Sequence, residues 1–572
     1  MTPADEGESA PAAPPPAGLG RLLAPSLLLA LGALALAWRE RPHLAAYRSN
    51  AFRLLFARDE PAGAALLVVL LLAALALAWL LPGAAGKLPA LLARRAGWVA
   101  FAAFLLLALG ALTVYQARPL AMDEYAPWFQ AHAFAAGHLG GRLPPDLLRR
   151  LLPPWLLFPF FTASPTSGAV ISNYWPGFAL LLAPAAALDV PWLLDPLLGA
   201  GCLLLLAALA ARWTGVAAAA GWALLLTLAS PAFTVNAFSF YPLTAHLLCN
   251  LLWMALLVEG RATTGAAASG GTASDPRLTG RPGRLLGAGA VGSLALVLHN
   301  PVPHAAFALP WIVALVRRRG WRPTLLLALG YLPLVLLLGI GWVALRQHVG
   351  ADAVATVGAV KGAAAEGTLL DRASALAGGA FSLPHRWLLR ARLLGIVELV
   401  TWAAPFLPVL AIFGWRATRR GSPLRLLAAS AASTLLVYCF VPFDQGHGWG
   451  YRYFHAVWGA LPLLGAAALI APRAARWRGV VLAGALLALP AANALRAAQV
   501  RSFVATQRAQ LPPVPATGRH LCFVSLFGGS YRVDLLQNDP FLRNRVWMLA
   551  SAGFASDAAL VARRFPGARL EL

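Results

Sequence analysis

The sequence has little charge and very few acids. Charged residues make up 12% of its 572 residues, and only 22 are Asp or Glu against 46 Lys or Arg. With 59% hydrophobic residues and a mean hydropathy of +0.68, the chain is too apolar for a soluble globular protein. The composition therefore predicts an all-α protein that crosses a membrane many times.

The net charge of +24 could also indicate a protein that binds nucleic acid. The arginines instead cluster in short loops between apolar runs, which is how membrane proteins mark their cytoplasmic side. Three such groups are Arg317–Arg322, Arg416–Arg425 and Arg473–Arg478. Because no basic face with interleaved aromatic residues occurs, no nucleic-acid partner is expected.

Cysteine is also scarce. Three of the four cysteines lie in apolar runs and Cys522 stands alone near the C-terminus, so neither a disulfide framework nor metal-type spacing is present. Residues 1–20 are rich in Pro and Ala and are predicted to form a disordered cytoplasmic tail. They lack the basic start of a cleaved signal peptide, so Leu22–Trp38 is predicted to be a retained span.

Residues 21–499 are predicted to form a membrane domain of about thirteen spans and one re-entrant or interfacial segment, Tyr174–Leu188. That segment is short and contains two prolines. If it crossed, the three arginine groups would face outside, against the positive-inside rule. A segment that dips and returns puts them all in the cytoplasm. Of the long connections, Gly260–Arg284 is predicted to be a flexible cytoplasmic linker and Gly350–Arg392 a mobile outer lid.

The composition changes near the C-terminus, where residues 500–572 are predicted to form a small α/β extracytoplasmic domain. Strands are expected at Leu521–Phe527, Arg545–Leu549 and Ala568–Leu572, with a helix at Ser556–Phe565. The segment is too short for a large core, so we expect it to lean on the membrane domain.

The outer loop 116–173 carries two adjacent acids, Asp123 and Glu124, just beyond an apolar run. A carboxylate near hydrocarbon is costly to ionise unless water or a partner stabilises it. The residues that follow, from Trp128 to Leu139, are predicted to form an amphipathic surface helix. The acids are therefore candidates for a site, and the alternative is that they only cap that helix.

Four further polar or aromatic patches are predicted to lie on the same side of the membrane: Ser172–Gly177, Asn236–His246, His299–His304 and Phe443–Phe454. In the last of these, glycines alternate with His, Trp, Tyr and Arg, which permits close backbone approach to an anion. For Asn236–His246 the alternative is that aromatics and histidine anchor span ends at the interface. For His299–His304 it is that the two histidines flank a proline-containing turn. Glu398, an acid inside a span, is predicted to pair with Arg392 or to line a cavity.

A lipid-linked sugar phosphate suits such a site. Its phosphate stays at headgroup depth and leaves without a general acid, so the protein must supply a base for the acceptor hydroxyl and cations for the phosphate. Asp123 suits the base, and Arg452 with the group Arg386–Arg392 suits the phosphate.

These residues resemble the GT-C superfamily of polyprenyl-phosphate-sugar glycosyltransferases, in the broad group with protein mannosyltransferases and aminoarabinose transferases. The resemblance covers roughly Leu91–Leu495, and Met122–Tyr125 is its most specific part. It implies an inverting transfer, metal-sparing or metal-assisted, with Asp123 as base and Glu124 beside it. Two extra apolar runs precede this motif and Ser172–Gly177 lacks a charge found in some members, so neither sugar nor acceptor is carried over.

The predicted site residues fall into three groups. The catalytic residues are Asp123 and Glu124; the donor phosphate is bound by Arg452, His447, Arg386 and Arg390; the sugar or acceptor is bound by Tyr125, Tyr174, Trp175, Tyr241, His246, His299 and Tyr451. No residue is assigned to a metal, and a requirement for Mg or Mn is left open.

The sequence thus predicts a glycosyltransferase in the lipid bilayer of a bacterial inner membrane, with its active site facing the periplasm. Its donor would be a polyprenyl-phosphate sugar and its acceptor an unidentified glycan, lipid or protein. Two other functions are considered. A transporter or flippase would also use buried acids and broken helices, and a non-catalytic polysaccharide assembly component would use Asp123 only as a helix cap.

Overall fold

The computed structural model describes residues 18–46, 51–78, 83–153, 159–262, 276–357, 381–446, 448–515, 517–527 and 531–568. Most of these residues are helical, and six helices are long and apolar enough to cross a membrane. They are Gly20–His43, Leu54–Leu77, Ala96–Thr113, Pro191–Thr214, Trp321–Ala351 and Pro472–Arg508. The predicted polytopic helical fold is confirmed at this level, and the count of about thirteen spans stays a prediction.

The α-helices of the first half of the chain are numbered in order. They are α1 Gly20–Glu40, α2 Ala57–Leu77, α3 Ala84–Arg94, α4 Ala96–Thr113, α5 Met122–Ala135, α6 Leu148–Leu151, α7 Gly177–Ala187, α8 Leu194–Thr214, α9 Ala217–Leu228, α10 Pro231–Asn236, α11 Leu243–Leu257 and α12 Pro282–Val297.

The second half continues this numbering. Its helices are α13 Val302–Arg319, α14 Trp321–Leu334, α15 Gly341–Val357, α16 Arg386–Thr401, α17 Leu407–Ala417, α18 Pro423–Tyr438, α19 Ala460–Ile470, α20 Arg478–Arg508 and α21 Phe554–Arg564. A 3₁₀ helix, Arg452–Val457, precedes α19.

Small residues let the membrane helices pack closely. A Cβ at Gly414 of α17 would lie 1.9 Å from the carbonyl oxygen of Leu464 in α19, and one at Gly289 of α12 would lie 2.3 Å from that of Leu327 in α14. Lipid tails are as apolar as leucine, so helices in a bilayer associate through such close packing rather than through hydrophobic burial.

Helix α7 lies within the predicted re-entrant or interfacial segment. At its start, Gly177 packs against the backbone of Val297 and Leu298, which precede the outer patch at His299. After its end, Pro191 lines a cavity together with Arg118 of the outer loop. Both ends therefore lie beside residues predicted to be outside, as a segment that does not cross would require.

Seven short strands form three small sheets among the described residues. Strands β1 Gly141–Arg142, β2 Phe161–Ala163 and β3 Ala169–Ser172 pair in the order β1-β3-β2, and β4 Val258–Glu259 pairs with β5 Arg277–Leu278. In the C-terminal part, β6 His520–Val524 runs parallel to β7 Val546–Ala550.

The C-terminal segment packs onto the outer loop, as predicted from its small size. Its buried residues Cys522 and Leu549 share one apolar cluster with Met122, Tyr125 and Phe129 of α5. The C-terminal segment and the outer loop therefore share one apolar core.

Some predicted boundaries were wrong. The C-terminal helix begins at Phe554, so Gly553 and not Ser556 takes the N-cap position. Helix α5 ends at Ala135, which leaves Leu139 beyond it and 65% exposed. The domain boundary predicted at residue 500 falls within the 31-residue helix α20 and stays a prediction.

Several predictions fall partly outside the described residues. These residues are 1–17 of the predicted tail, 263–275 of the linker, 358–380 of the lid and 569–572 of the last strand. The described ends of the linker are joined by the β4–β5 pairing.

Candidate active site

Asp123 is held by two partners from distant parts of the chain. It lies in the first turn of α5, and its Oδ1 accepts a hydrogen bond from the Tyr174 hydroxyl. Its Oδ2 accepts one from Arg452 at 2.7 Å, and both side chains are largely buried. Burial alone would raise the pKa of Asp123, but the charge of Arg452 and the hydrogen bonds from Tyr174 and Arg452 outweigh it and hold the pKa below its usual value. Asp123 is therefore ionised at neutral pH.

The loop before Arg452 is shaped around its side chain. A Cβ at Gly448 would lie 2.5 Å from Arg452 Cδ, so a larger residue there would displace the guanidinium. The Arg452 amide donates to Gln445 Oε1 at 3.2 Å, and its guanidinium lies over the Tyr241 ring, 4.8 Å from the centroid. The aromatic face and Asp123 thus fix the cation from two sides.

His299 stacks on Tyr174. Their ring centroids are 3.7 Å apart, and the Trp175 amide donates to the His299 carbonyl at 3.1 Å. His299 Nδ1 has no hydrogen-bond partner in the part of the chain that the structure describes. Burial lowers the pKa of His299 to about 4, so the ring is neutral at pH 7 and can both donate and accept a hydrogen bond.

Glu124 is fully buried and bonds to residues other than Asp123 and Arg452. Its oxygens accept from the Tyr115 hydroxyl at 2.8 Å, from the Leu120 amide at 2.6 Å and from the Phe240 amide at 3.1 Å. Burial raises the pKa of Glu124 to about 7. These contacts join the end of α4 to two loops, which positions Asp123. Its predicted catalytic role stays a prediction.

The C-terminal domain supplies a residue that sequence reasoning missed. Asp534 Oδ1 accepts from the Met122 amide at 2.9 Å, at the N-terminus of α5. Burial raises the pKa of Asp534 to about 8. Nearby, the Tyr125 hydroxyl donates to the Asn538 carbonyl at 2.7 Å. Tyr125, predicted to bind sugar or acceptor, instead fastens α5 to this domain.

The raised pKa of Asp534 makes the free energy of unfolding depend on pH. In the unfolded chain an aspartate titrates near pH 4, whereas folded Asp534 holds its proton up to about pH 8. The folded state therefore binds more protons between these values, and stability falls as pH rises through them. The raised pKa of Glu124 also makes stability fall as pH rises, up to about pH 7. We expect Asp534→Asn, which keeps the acceptor oxygen, to lose less stability than the wild type as pH rises.

Thermal unfolding in detergent at about pH 5 and about pH 9 measures this difference. Asp146→Asn is the matched control, because Asp146 is half exposed and forms an ion pair with the exposed Arg564. Equal pH dependence in the wild type and Asp534→Asn would contradict the assignment.

Among the described residues, neither Arg386 nor Arg390 of the predicted phosphate group bonds to Asp123. Arg390 forms an ion pair with Glu40 of α1, and Arg386 is exposed in the first turn of α16. His447 lies outside the described residues.

The remaining residues predicted to bind sugar or acceptor contact different parts of the structure. Tyr241 lies under Arg452, and Trp175 packs near Gly339 of the π-helical turn after α14. The Tyr451 ring packs against Gly395 of α16, at 2.5 Å from the position of a Cβ. His246 is buried in α11, and no described residue pairs with either of its ring nitrogens.

Glu398 does not pair with Arg392, contrary to one expectation. Arg392 donates to the carbonyls of Tyr438, Val441 and Phe443 at 2.6 to 2.8 Å. These carbonyls follow α18 or end it, where orphan acceptors need donors. Glu398 accepts from Gln445 at 2.7 Å, so it supports the loop that carries Arg452.

Sequence reasoning also missed Arg346. Its guanidinium donates to the Asn173 carbonyl at 2.9 Å, next to Tyr174. The sequence feature that could have indicated Arg346 is its position directly after a long apolar run, at the end predicted to be outside.

A divalent cation would find one carboxylate at this site, and both oxygens of that carboxylate already accept hydrogen bonds. No group of three or more His, Cys, Asp or Glu suited to a metal occurs among the described residues. The residues present therefore do not form a ready metal site, and the requirement for Mg or Mn stays open.

Fold and site together define a polytopic membrane protein with an ionised carboxylate, a guanidinium and stacked aromatic rings at one end of its helices. No protein-family model and no curated protein matches the chain. Among solved structures, it is similar to ArnT from Cupriavidus metallidurans bound to undecaprenyl phosphate, at 15% identity over 81% of this chain and 88% of that chain, with a TM-score of 0.48. It is also similar to the apo state of ArnT from Cupriavidus metallidurans, at 16% identity over 82% of this chain and 88% of that chain, with a TM-score of 0.45.

Because both TM-scores are below 0.5, the function proposed below rests on the residues of the site.

Proposed function

We propose that this chain is an integral membrane glycosyltransferase. It would transfer a sugar from a polyprenyl-phosphate donor to an acceptor hydroxyl on the extracytoplasmic face, with inversion. The observation that carries the proposal is the contact of Asp123 with both Tyr174 and Arg452. An ionised acid beside a fixed cation suits a reaction in which an alcohol loses a proton while a phosphate departs.

Asp123 would act as the general base. It would take the proton of the acceptor hydroxyl as that oxygen attacks the anomeric carbon on the face opposite the phosphate. The bond between that carbon and the phosphate oxygen breaks, and its electron pair leaves with the phosphate. A carboxylate has about four lone-pair sites, so hydrogen bonds from Tyr174 and Arg452 leave Asp123 able to accept another proton.

Arg452 would bind the leaving phosphate. A guanidinium presents five N–H donors in a planar fork, so one arginine can hold Asp123 and a phosphate oxygen together. The charge it offers grows in importance as the phosphate gains its second negative charge during bond breaking.

Neutral rings would bind the sugar. Tyr174 and His299 are stacked, and the buried Nδ1 of His299 has no partner among the described residues. A buried polar atom without a partner is costly, and a sugar hydroxyl would satisfy it. Tyr241 would contribute by holding Arg452.

Helix α13 supports an extracytoplasmic orientation. It starts just after His299, runs from Val302 to Arg319 and ends in three arginines. Its 18 residues span about 27 Å, so the arginines lie near the opposite face. Positive residues mark the cytoplasm, which favours a site on the outer face. The alanine- and arginine-rich sequence favours a bacterial inner membrane.

The test uses purified wild-type protein in liposomes with a polyprenyl-phosphate sugar labelled in the sugar, and an envelope extract as acceptor. We expect loss of labelled donor, appearance of free polyprenyl phosphate and label in the acceptor fraction. A flippase would move the donor across the bilayer chemically intact. An assembly component would leave it unchanged, and either result would overturn the proposal.

A further inference from the structure

A cavity of ≈ 1070 Å³ lies on the other side of α5 from Asp123. Its walls come from α5, the connection between α7 and α8, the end of α20 and the C-terminal domain. Trp128 and His132 line it, and at 3.6 residues per turn they project about 140° and about 180° away from Asp123 around α5. Neither Asp123 nor Arg452 is in its lining. We call this space the junction cleft.

Positive charge dominates the junction cleft. Its lining contains Arg118, Arg508, Arg543 and Arg545 but only two acids, Asp189 and Asp539. Arg543 is neutralised by Asp539 at 2.9 Å. In the part of the chain that the structure describes, the other three arginines form no ion pair with a carboxylate.

Two of these arginines, Arg118 and Arg508, line the same cavity. Arg508 donates only to the neutral side chain of Gln116, and Arg118 makes no hydrogen bond or ion pair with any described residue. Their guanidiniums lie within electrostatic range of one another. Like charges held together repel, and an anion between them would relieve the repulsion.

The rest of the lining suits a saccharide. It contains the half-buried ring of Trp192 and three side-chain amides, of Gln537, Asn538 and Asn544. Asn538 and Asn544 already bond to each other and to the domain backbone. The Trp192 ring and the side-chain oxygen of Gln537, to which no described residue donates, therefore suit a saccharide. A volume near 1000 Å³ is at the upper end for small-ligand sites and far exceeds one phosphate. The remaining apolar lining is mainly alanine and proline, which offers little surface for acyl chains.

We propose that the junction cleft binds an anionic oligosaccharide segment of the acceptor, carrying carboxylate or phosphate groups. This inference rests on the proposed function, because it identifies the class of acceptor. At 1.5 Å per residue, Trp128 is about 7.5 Å from Asp123 along α5. This separation along the helix axis is shorter than a glycan of several units.

The experiment measures binding of tetragalacturonate to the full-length protein in detergent by calorimetry, with maltotetraose as the neutral probe. The test variant is Arg118→Gln with Arg508→Gln, since both side chains are exposed and their loss should not disturb the fold. The control is Arg563→Gln, which removes an exposed arginine from α21 of the same domain, outside the cleft. We expect about tenfold or greater loss of affinity in the double variant, as for a lost charge-assisted contact, and none in the control.

Equal affinity in the wild type and the double variant, or equal binding of maltotetraose and tetragalacturonate, would overturn the inference. Binding of dihexanoyl phosphatidylglycerol without binding of tetragalacturonate would assign the cleft to a lipid headgroup and also overturn it. Asp123→Asn should bind tetragalacturonate as the wild type does. If the cleft fails this test while transfer still depends on Asp123, the proposed function stands and only its acceptor class is rejected.

Discussion

Asp123→Asn is expected to reduce the turnover of sugar transfer by about 10²- to 10⁴-fold, the contribution typical of a general base. Asparagine keeps the shape of the side chain and one acceptor oxygen, so contacts with Tyr174 or Arg452 can persist. It cannot take a proton from the acceptor. We therefore expect turnover to collapse while the donor Michaelis constant changes little. Some loss of thermal stability is expected as well, because the largely buried Arg452 loses its counter-charge.

The control for this variant is Asp444→Asn. Asp444 is an acid of the same outer region, and its carboxylate accepts from the Gly446 amide at 2.6 Å, within its own loop. We expect it to keep most of its activity. Turnover of Asp123→Asn within a few-fold of the wild type would remove Asp123 from the chemical step.

The loops of the site could be predicted to meet because each is anchored to a span end. Once Tyr174–Leu188 is taken not to cross, Asp123, Tyr174, His299 and Arg452 all fall at one end of the bundle, and they do lie in contact or adjacent. The residue pattern alone could not predict which of these residues contact one another. Asp123 and Arg452 are 329 residues apart, and their pairing depends on how the helices pack.

Two predicted site residues have partners that the sequence did not indicate. Arg390 looked available for a phosphate, but the extra N-terminal helix α1 supplies Glu40 as its partner. Tyr125 belongs to the acidic motif, but it lies two residues after Asp123, about 200° around α5, and its hydroxyl bonds to the C-terminal domain. In both cases the deciding contact comes from a distant segment with no sequence signal near the motif.

The same holds for Asp534, whose carboxylate meets α5 from 412 residues away. The sequence indicated a small outer domain but not what it does. In the structure the domain closes one side of the junction cleft and holds the N-terminus of α5. It therefore links acceptor binding to the position of Asp123, if the cleft binds the acceptor as proposed.

Arg452→Gln is expected to raise the donor Michaelis constant by about tenfold to a hundredfold, the effect of losing one buried charge-assisted contact to phosphate. Glutamine retains hydrogen-bonding capacity but no charge. Arg452→Lys should recover part of the affinity, because it restores the charge without the planar fork. The acceptor Michaelis constant should change less in both variants.

The pH profile separates this role from simple loss of structure. Arg452 contributes to holding the pKa of Asp123 below its usual value. Removing the cation raises that pKa, so the ionised base is lost earlier as pH falls. The acidic limb of the rate profile should therefore move to higher pH in Arg452→Gln and stay near the wild-type position in Arg452→Lys. An unchanged donor Michaelis constant together with an unmoved acidic limb would show that Arg452 binds neither the phosphate nor the base during turnover.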